Sequence, residues 1–349
     1  MNRKKYRKTK SSRKRMAIKV ILTLAVSLLI CGSAYGIYLI KKAENAADGA
    51  FESLKDREMS ELREEKVEPL HDDISILFIG VDNSEQRGQS DTNTRSDALV
   101  LATLNNEEKS VKLVSIPRDT YTYIPDAGHE DKITHAYGYN GPSSTIESVE
   151  ELLDVPVDYY MRMNFDAFID IVDALGGIKA EVPYDLKEQD ENDQKNAIEL
   201  KKGIQHLDGS QALALARTRH YDNDIERGKR QQMILQSIMD KALSAGSITK
   251  YGNVIEVVGD NMKTNLTFND MQAFFEYAKG GKPNVETLTV DGFDDMSTGV
   301  YYWKLNEESL VEVQDILQSH LGLKPDTSSM SDNSETELAE YPQEQETSQ

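Results

Sequence analysis

The sequence predicts an α/β protein: a three-layer α/β/α sandwich around a central mixed β-sheet, preceded by one N-terminal transmembrane helix. Three observations predict it. Composition comes first: the 349 residues are 38% apolar and 29% charged with a single cysteine, which excludes collagen-like, disulfide-stapled and wholly disordered chains. Second, between residues 73 and 324 short apolar runs of strand length alternate with longer helical patterns, the signature of helices packed on one sheet. Third, residues 20–40 (VILTLAVSLLICGSAYGIYLI) carry no charge. As a helix, that run spans about 30 Å, the hydrocarbon thickness of a bilayer.

Charge divides the chain at this apolar run. Of the 40 Lys and Arg, twelve lie in residues 1–42, which hold no acid, so the remaining 28 face all 60 acids. Ten of the twelve precede the apolar run, and the positive-inside rule then leaves a cytoplasmic basic tail at 1–19 and the body outside the cell. The expected topology is a single-pass type II protein of the cell membrane with an extracellular domain. The run is too long for an ordinary signal core, which favours a retained signal-anchor over a cleaved peptide. Cys31 lies inside it, so the exported body is held without disulfides.

Residues 41–72 are rich in Ala, Glu and Lys and read as a solvated helical stalk ending near Pro69. In the domain at 73–324, Ile74–Val81 is a continuous apolar run, as expected of a strand buried on both faces. Residues 98–104 and 111–116 are further strands joined by a polar turn. Residues 143–154 suit a helix, with Ser144 and Glu147 spaced as a capping box. A strand at 158–164, a helix at 165–175 stopped by Gly176-Gly177, and the strand Ile178–Val182 follow. Helices are expected at 209–216, 225–244, 253–261 and Phe268–Lys279. The strand 285–290, the aromatic 301–303 and the helix Glu307–His320 close the domain. Residues 325–349 hold seven acids and no base, a composition that reads as a disordered acidic tail.

Candidate chemistry gathers at strand ends. Asp82 follows the first strand and Asp97 opens the next; neighbouring strands lie about 4.8 Å apart, so the two carboxylates could share a divalent ion, or each could simply form a turn. Arg118, in Ser115-Ile116-Pro117-Arg118-Asp119-Thr120, falls where proline ends a strand. It suits a ligand crevice, or a surface pair with Asp119. Arg217, Arg219, Arg227 and Arg230 fall within fourteen residues of an acidic body. Arginine forks suit phosphate oxygens; Asp222, Asp224 and Glu226 are the alternative counterions. Gln231 lies i,i+4 from Arg227 on a helix. No GxSxG, HExxH or P-loop pattern occurs, and His135 reads as structural. The basic tail abuts a membrane span, so lipid head groups explain it better than nucleic acid.

The motifs FIGVD, RSDALVL, SIPRDTY, DKITHAYGYNG, PVDYYMRMNF, VDALGGI, HLDGSQALALARTR and ERGKRQQ occur in that order. Together they resemble the LytR–CpsA–Psr family of cell-envelope proteins, with a departure after Asp82, where Asn83-Ser84 stand and no base occurs until Arg87. The resemblance implies a phosphotransferase that moves an anionic glycopolymer, most simply wall teichoic acid, from a polyprenyl diphosphate carrier to the 6-hydroxyl of peptidoglycan muramic acid. It implies Mg²⁺, or Mn²⁺, on Asp82 and Asp97. Arg95, Arg118, Arg217, Arg219, Arg227 and Gln231 would bind the diphosphate, and Arg118 and Asp97 would act in catalysis. The isoprenoid tail needs an apolar groove, expected between the sheet and the helices at 165–175 and 234–243. A diphosphatase on the same carriers and a non-enzymatic envelope binder are the alternatives. A monomer is expected.

Overall fold

The computed structural model describes residues 3–54, 57–69, 71–81, 95–191, 194–218, 224–242, 259, 262–279 and 283–324. In chain order the elements are α1 (Arg3–Ala50), β1 (Ile74–Val81), β2 (Ser96–Asn105), β3 (Ser110–Ile116), β4 (Tyr121–Ile124), β5 (His129–Lys132), α2 (Tyr137–Asn140) and α3 (Pro142–Leu153). There follow β6 (Tyr159–Asn164), α4 (Phe165–Ala174), β7 (Ile178–Val182), β8 (Leu186–Glu188), β9 (Ile198–Leu200), β10 (Gly203–Leu207), α5 (Gly209–Arg217) and α6 (Asp224–Ala242). The last are β11 (Met262–Thr264), α7 (Phe268–Lys279), β12 (Asn284–Leu288), β13 (Gly292–Asp295), β14 (Tyr302–Leu305) and α8 (Glu307–His320).

The central sheet runs β11-β6-β1-β2-β3-β12. It is mixed: β1 pairs antiparallel with β2 and parallel with β6, while β3 pairs parallel with β12. Alternation along the strands sorts its side chains onto two faces. Leu77, Ile79, Leu99, Leu101, Val114 and Ile116 pack with Ile146 and Val149 of α3 and Val313 and Leu317 of α8. On the other face, Val100, Ala102, Val111 and Leu113 meet Leu235 of α6, and Ile74 and Ile76 meet Met271 and Phe274 of α7. The expected three layers follow from that alternation. A second apolar cluster joins α4, β7, α5 and α6 through Val172, Ile178, Leu215 and Ile234, so these residues of the expected lipid-groove helices are core.

Several elements differ from expectation at their ends. The helix α3 starts with Gly141 at its N-cap and Pro142 in the first turn, with no side-chain cap. Pro142 has no N–H to satisfy, which removes the need for the Ser144 box. A full capping box forms instead on α5, between Asp208 and Gln211. Gly176 and Gly177 do stop α4, at φ of 78° and 80°.

The stalk also differs from expectation. Helix α1 ends at Ala50 and contains residues 20–40; the side chains of part of that run lie outside the described residues. Among the described residues no helix is long and apolar enough to cross a membrane. After Ala50 the chain is not helical and lies along the domain: the Glu52 N–H donates to Thr264 O at 2.7 Å, and Arg57 and Arg63 reach the domain's carboxylates. The expected helix at 253–261 and the tail 325–349 lie, apart from Gly259, outside the described residues.

Candidate active site

Strand register gathers the predicted residues at one edge of the sheet. Val81 stands opposite Ser96, Leu99 opposite Ile116, and Val81 beside Asn164. The C-terminal ends of β1, β3 and β6 therefore meet the start of β2, where Arg95 is exposed and Asp97 half-buried. Past the end of β3, Arg118 donates from Nη1 to Asp97 Oδ1. Asp119 is 5% exposed and accepts from Lys132 Nζ at 2.8 Å. One residue ties the two strand ends together: Thr134 donates its N–H to Arg118 O at 3.1 Å and its hydroxyl to Ser96 O at 2.7 Å. The Arg118 Nε is buried, makes no hydrogen bond among the described residues and lies 3.7 Å from Asp119 Oδ2, so Arg118 pairs with both Asp97 and its neighbour Asp119.

More arginines arrive from the opposite layer. Arg217 ends α5, its guanidinium 5.0 Å from the ring centroid of Phe165. Phe165 opens α4 just past β6, placed by the Asn164 side chain, which accepts from the Ala167 N–H at 2.8 Å. Arg227 is buried on α6. The next residue, Gly228, lies so near β3 that a Cβ there would come within 2.7 Å of Ser115 Oγ, so α6 meets the sheet close to the strand end that leads to Arg118. Arg217 Nη1 is a second buried donor without a hydrogen bond among the described residues.

The arginine run thus splits by role. Arg230 donates to Leu215 O at 3.1 Å and Thr218 O at 2.6 Å, tying the C-terminal end of α5 to α6. Gln231 Nε2 lies 3.5 Å from Ala216 O, also toward α5. Glu226 pairs with Lys229 at 2.8 Å. Asp82, Arg219 and Asp222 lie outside the described residues. Sequence reasoning missed Phe165, Lys132 and Thr134. Only the spacing of Lys132 and Thr134 after a strand end could have flagged two of them, and nothing local marks Phe165. His135 Nδ1 lies 2.7 Å from Asp131 Oδ2. Burial works against the Asp131 charge, but hydrogen bonds from His135 and the Lys132 N–H hold its carboxyl below the usual range.

Arg118 paired with Asp97, and a buried Arg217 Nη1 without a hydrogen bond among the described residues, are groups suited to a phosphate-rich ligand. Among the described residues no cluster of three or more His, Cys, Asp or Glu could hold a metal. Mg²⁺ needs only one or two carboxylates when phosphate oxygens complete its shell; of the two expected ligands, Asp97 is half-buried at the site and Asp82 lies outside the described residues.

The LytR_cpsA_psr family profile matches residues 37–319. The chain belongs to this family. Among its curated relatives, the polyisoprenyl-teichoic acid–peptidoglycan teichoic acid transferase TagT of Bacillus subtilis is 40% identical over 93% of this chain and 100% of its own length. An uncharacterized protein of Staphylococcus aureus is 41% identical over 87% of this chain and 76% of that one. Solved LytR–CpsA–Psr structures share the fold. TagT bound to LIIa-WTA superposes with a TM-score of 0.67 at 42% identity, over 78% of this chain and 99% of that one. TagT with bound octaprenyl pyrophosphate lipid gives 0.63 at 39% identity over the same shares.

Proposed function

We infer that this LytR–CpsA–Psr protein is a phosphotransferase of the cell envelope, moving wall teichoic acid from a polyprenyl diphosphate carrier to peptidoglycan. The observation that carries the reading is Arg118 tied to Asp97 at the strand ends, with Arg217 resting on Phe165 just past β6 and α6 packed on the end of β3 one residue after Arg227. A full-length transferase relative and a relative holding a prenyl pyrophosphate lipid support the substrate class.

In the reaction proposed, the 6-hydroxyl of muramic acid attacks the phosphorus next to the glycopolymer. The bond between the two phosphates breaks, a phosphodiester to peptidoglycan forms, polyprenyl phosphate leaves, and the hydroxyl proton passes to a base. Phosphoryl transfer depends on positioning and charge stabilisation more than on covalent help. Arg118, Arg217 and Arg227, with Arg95 and Arg219, hold the diphosphate oxygens and neutralise charge as it moves to the leaving phosphate. Asp97 orients the Arg118 fork. Asp97 and Asp82 would hold Mg²⁺ or Mn²⁺, which would supply further charge neutralisation at the diphosphate. Residues 20–40 of α1 serve as the single-pass anchor that keeps the domain beside its lipid substrate, outside the cell.

The test incubates the protein with a short lipid-diphosphate-linked glycan, Mg²⁺ and uncross-linked peptidoglycan strands, and follows products by mass spectrometry. A phosphodiester-linked product, abolished by Arg118→Ala and by Asp97→Ala, is expected. Free polymer phosphate alone would make the protein a diphosphatase, and intact co-purifying substrate would make it a binder.

A further inference from the structure

A tyrosine-rich patch lies against Asp119 and includes none of the site arginines. Tyr121 of β4 and Tyr302 of β14 meet edge to face, their centroids 4.9 Å apart. Lys132 Nζ lies 5.6 Å and 5.8 Å from the ring centroids of Tyr301 and Tyr302, and the same ammonium is bound by Asp119. Lys304 Nζ stands 5.3 Å from the Tyr121 centroid and 2.8 Å from Asp295. The patch is continuous with the site, because the Trp303 N–H donates to Asp119 O at 2.9 Å, one residue from Arg118.

Its position relative to the arginines gives it meaning. Ile133 and Tyr137, which follow β5, and Leu305 of β14 pack into the core shared with α3 and α8. Arg217 and Arg227 belong to α5 and α6, and α6 packs on the other face of the sheet. Attacking and leaving oxygens of a phosphoryl transfer lie roughly in line. With the leaving phosphate among the arginines, the nucleophile enters from the far side of Arg118, where the tyrosines stand. Lys132 and Lys304 are matched by Asp119 and Asp295, and the hydroxyls of Tyr121, Tyr301 and Tyr302 face Glu130, Asp294 and Asp131, so the patch is net acidic and ill-suited to a polyphosphate chain. Tyrosine pairs an apolar ring face with a polar edge, the complement of a pyranose with one apolar C–H face and a rim of hydroxyls.

The geometry points to an acceptor subsite in which Tyr121, Tyr301, Tyr302 and Lys132 bind a sugar ring of the acceptor glycan, an oligosaccharide of N-acetylated amino sugars. The inference rests on the transferase reading and names the side from which its second substrate enters. Trp303, the chain's one tryptophan, follows Tyr302 on β14 with its ring buried against Gly292, a built-in reporter next to the patch.

The test uses the full chain in detergent with a soluble, uncross-linked peptidoglycan tetrasaccharide. Saccharide alone, without donor, is expected to shift Trp303 emission in the wild type and not in Tyr302→Ala. In the complete reaction Tyr302→Ala is expected to raise the acceptor KM about tenfold and leave the donor KM in place, while Tyr302→Phe, which keeps the ring, restores the acceptor KM. Tyr301→Ala repeats the measurement should Tyr302→Ala fold poorly. An acceptor KM unmoved in both alanine variants, or a donor KM that rises with it, overturns the subsite. An emission shift in a protein that transfers nothing would retain the glycan site and overturn the transferase reading instead.

Discussion

Single residues of this protein do jobs that a neighbour of the same charge or size could not. Arg118 reaches Asp97 with Nη1 and faces Asp119 Oδ2 at 3.7 Å with Nε, an arrangement that needs a planar fork. Arg118→Lys keeps the charge but not the fork. It is expected to lower kcat by about 10²–10³-fold, the typical loss for one transition-state donor, and steady-state kinetics with a soluble short-chain donor would read it. Near-full activity in the lysine variant would reduce Arg118 to a point charge. His320 illustrates the opposite economy, a polar group kept neutral. Its Nδ1 lies 2.7 Å from Thr103 Oγ1 and its Nε2 2.8 Å from Ser110 Oγ. Burial, helped by Lys112, pushes its pKa down to about 4. Because the unfolded chain binds the proton more readily, the stability this group contributes is intact above about pH 6.5 and is lost as pH falls toward 4. The full loss is about 3 kcal/mol. Urea unfolding at pH 7.5 and 4.5 is expected to show a steeper acid loss in the wild type than in His320→Gln; equal slopes would remove His320 from the account.

At the scale of elements, the contact of α6 with β3 sets the distance between the two halves of the site. Gly228 leaves no room for a Cβ, which would meet Ser115 Oγ at 2.7 Å and Ser115 Cβ at 3.0 Å. Gly228→Ala is expected to cost about 1–3 kcal/mol by overpacking and to lower activity further by moving Arg227 off the strand ends. Ser115→Gly in the same chain is expected to recover both the melting temperature and kcat; recovery of the first without the second would separate stability from site geometry. Elements that bury a strong pattern were legible in the sequence. Ile74–Val81 is apolar on both faces, and Glu307–His320 keeps a helical stripe, so their limits follow from their own side chains. The hairpins β4–β5 and β13–β14 were not legible, since segments such as His129–Lys132 are polar and pair only because Asp119 and Lys132 lock them to the site. The same reason divides the site. Arg118 and Asp97 announce themselves at strand ends, and the arginine run is conspicuous in an acidic chain. That Arg230 ties helices while Arg217 rests on Phe165 depends on side chains more than fifty residues away in the case of Phe165, beyond any local pattern.

Across the whole molecule, the segment that follows Ala50 joins the N-terminal helix to the α/β domain. Arg57 grips Glu150 of α3 at 2.9 and 2.6 Å, and Arg63 grips Asp158 at 3.0 and 2.8 Å. Ser60 adds a bond to Glu150 at 2.6 Å, and the Ser75 N–H adds one to Asp158 at 2.8 Å. These carboxylates lie at the end of the sheet away from Arg118, and Asp158 lines a cavity of about 790 Å³ walled largely by the segment itself. That cavity is therefore a product of the strap rather than of the chemistry. Both pairs are mostly buried, with Asp158 only 3% exposed, so removing one partner strands a charge. Arg63→Ala is expected to destabilise by about 3 kcal/mol, and Arg63→Ala with Asp158→Asn by less, since no charge is then left behind. If the strap fixes how the domain stands on its helix, limited proteolysis should cut Arg63→Ala within residues 51–72 before any cut in the sheet, while the wild type resists there. Transfer to peptidoglycan from a long-chain membrane-embedded donor should then fall more than transfer from a soluble short-chain donor. Equal losses on both donors would mean that the two ion pairs support the fold of the domain and have no part in presenting the site to the membrane.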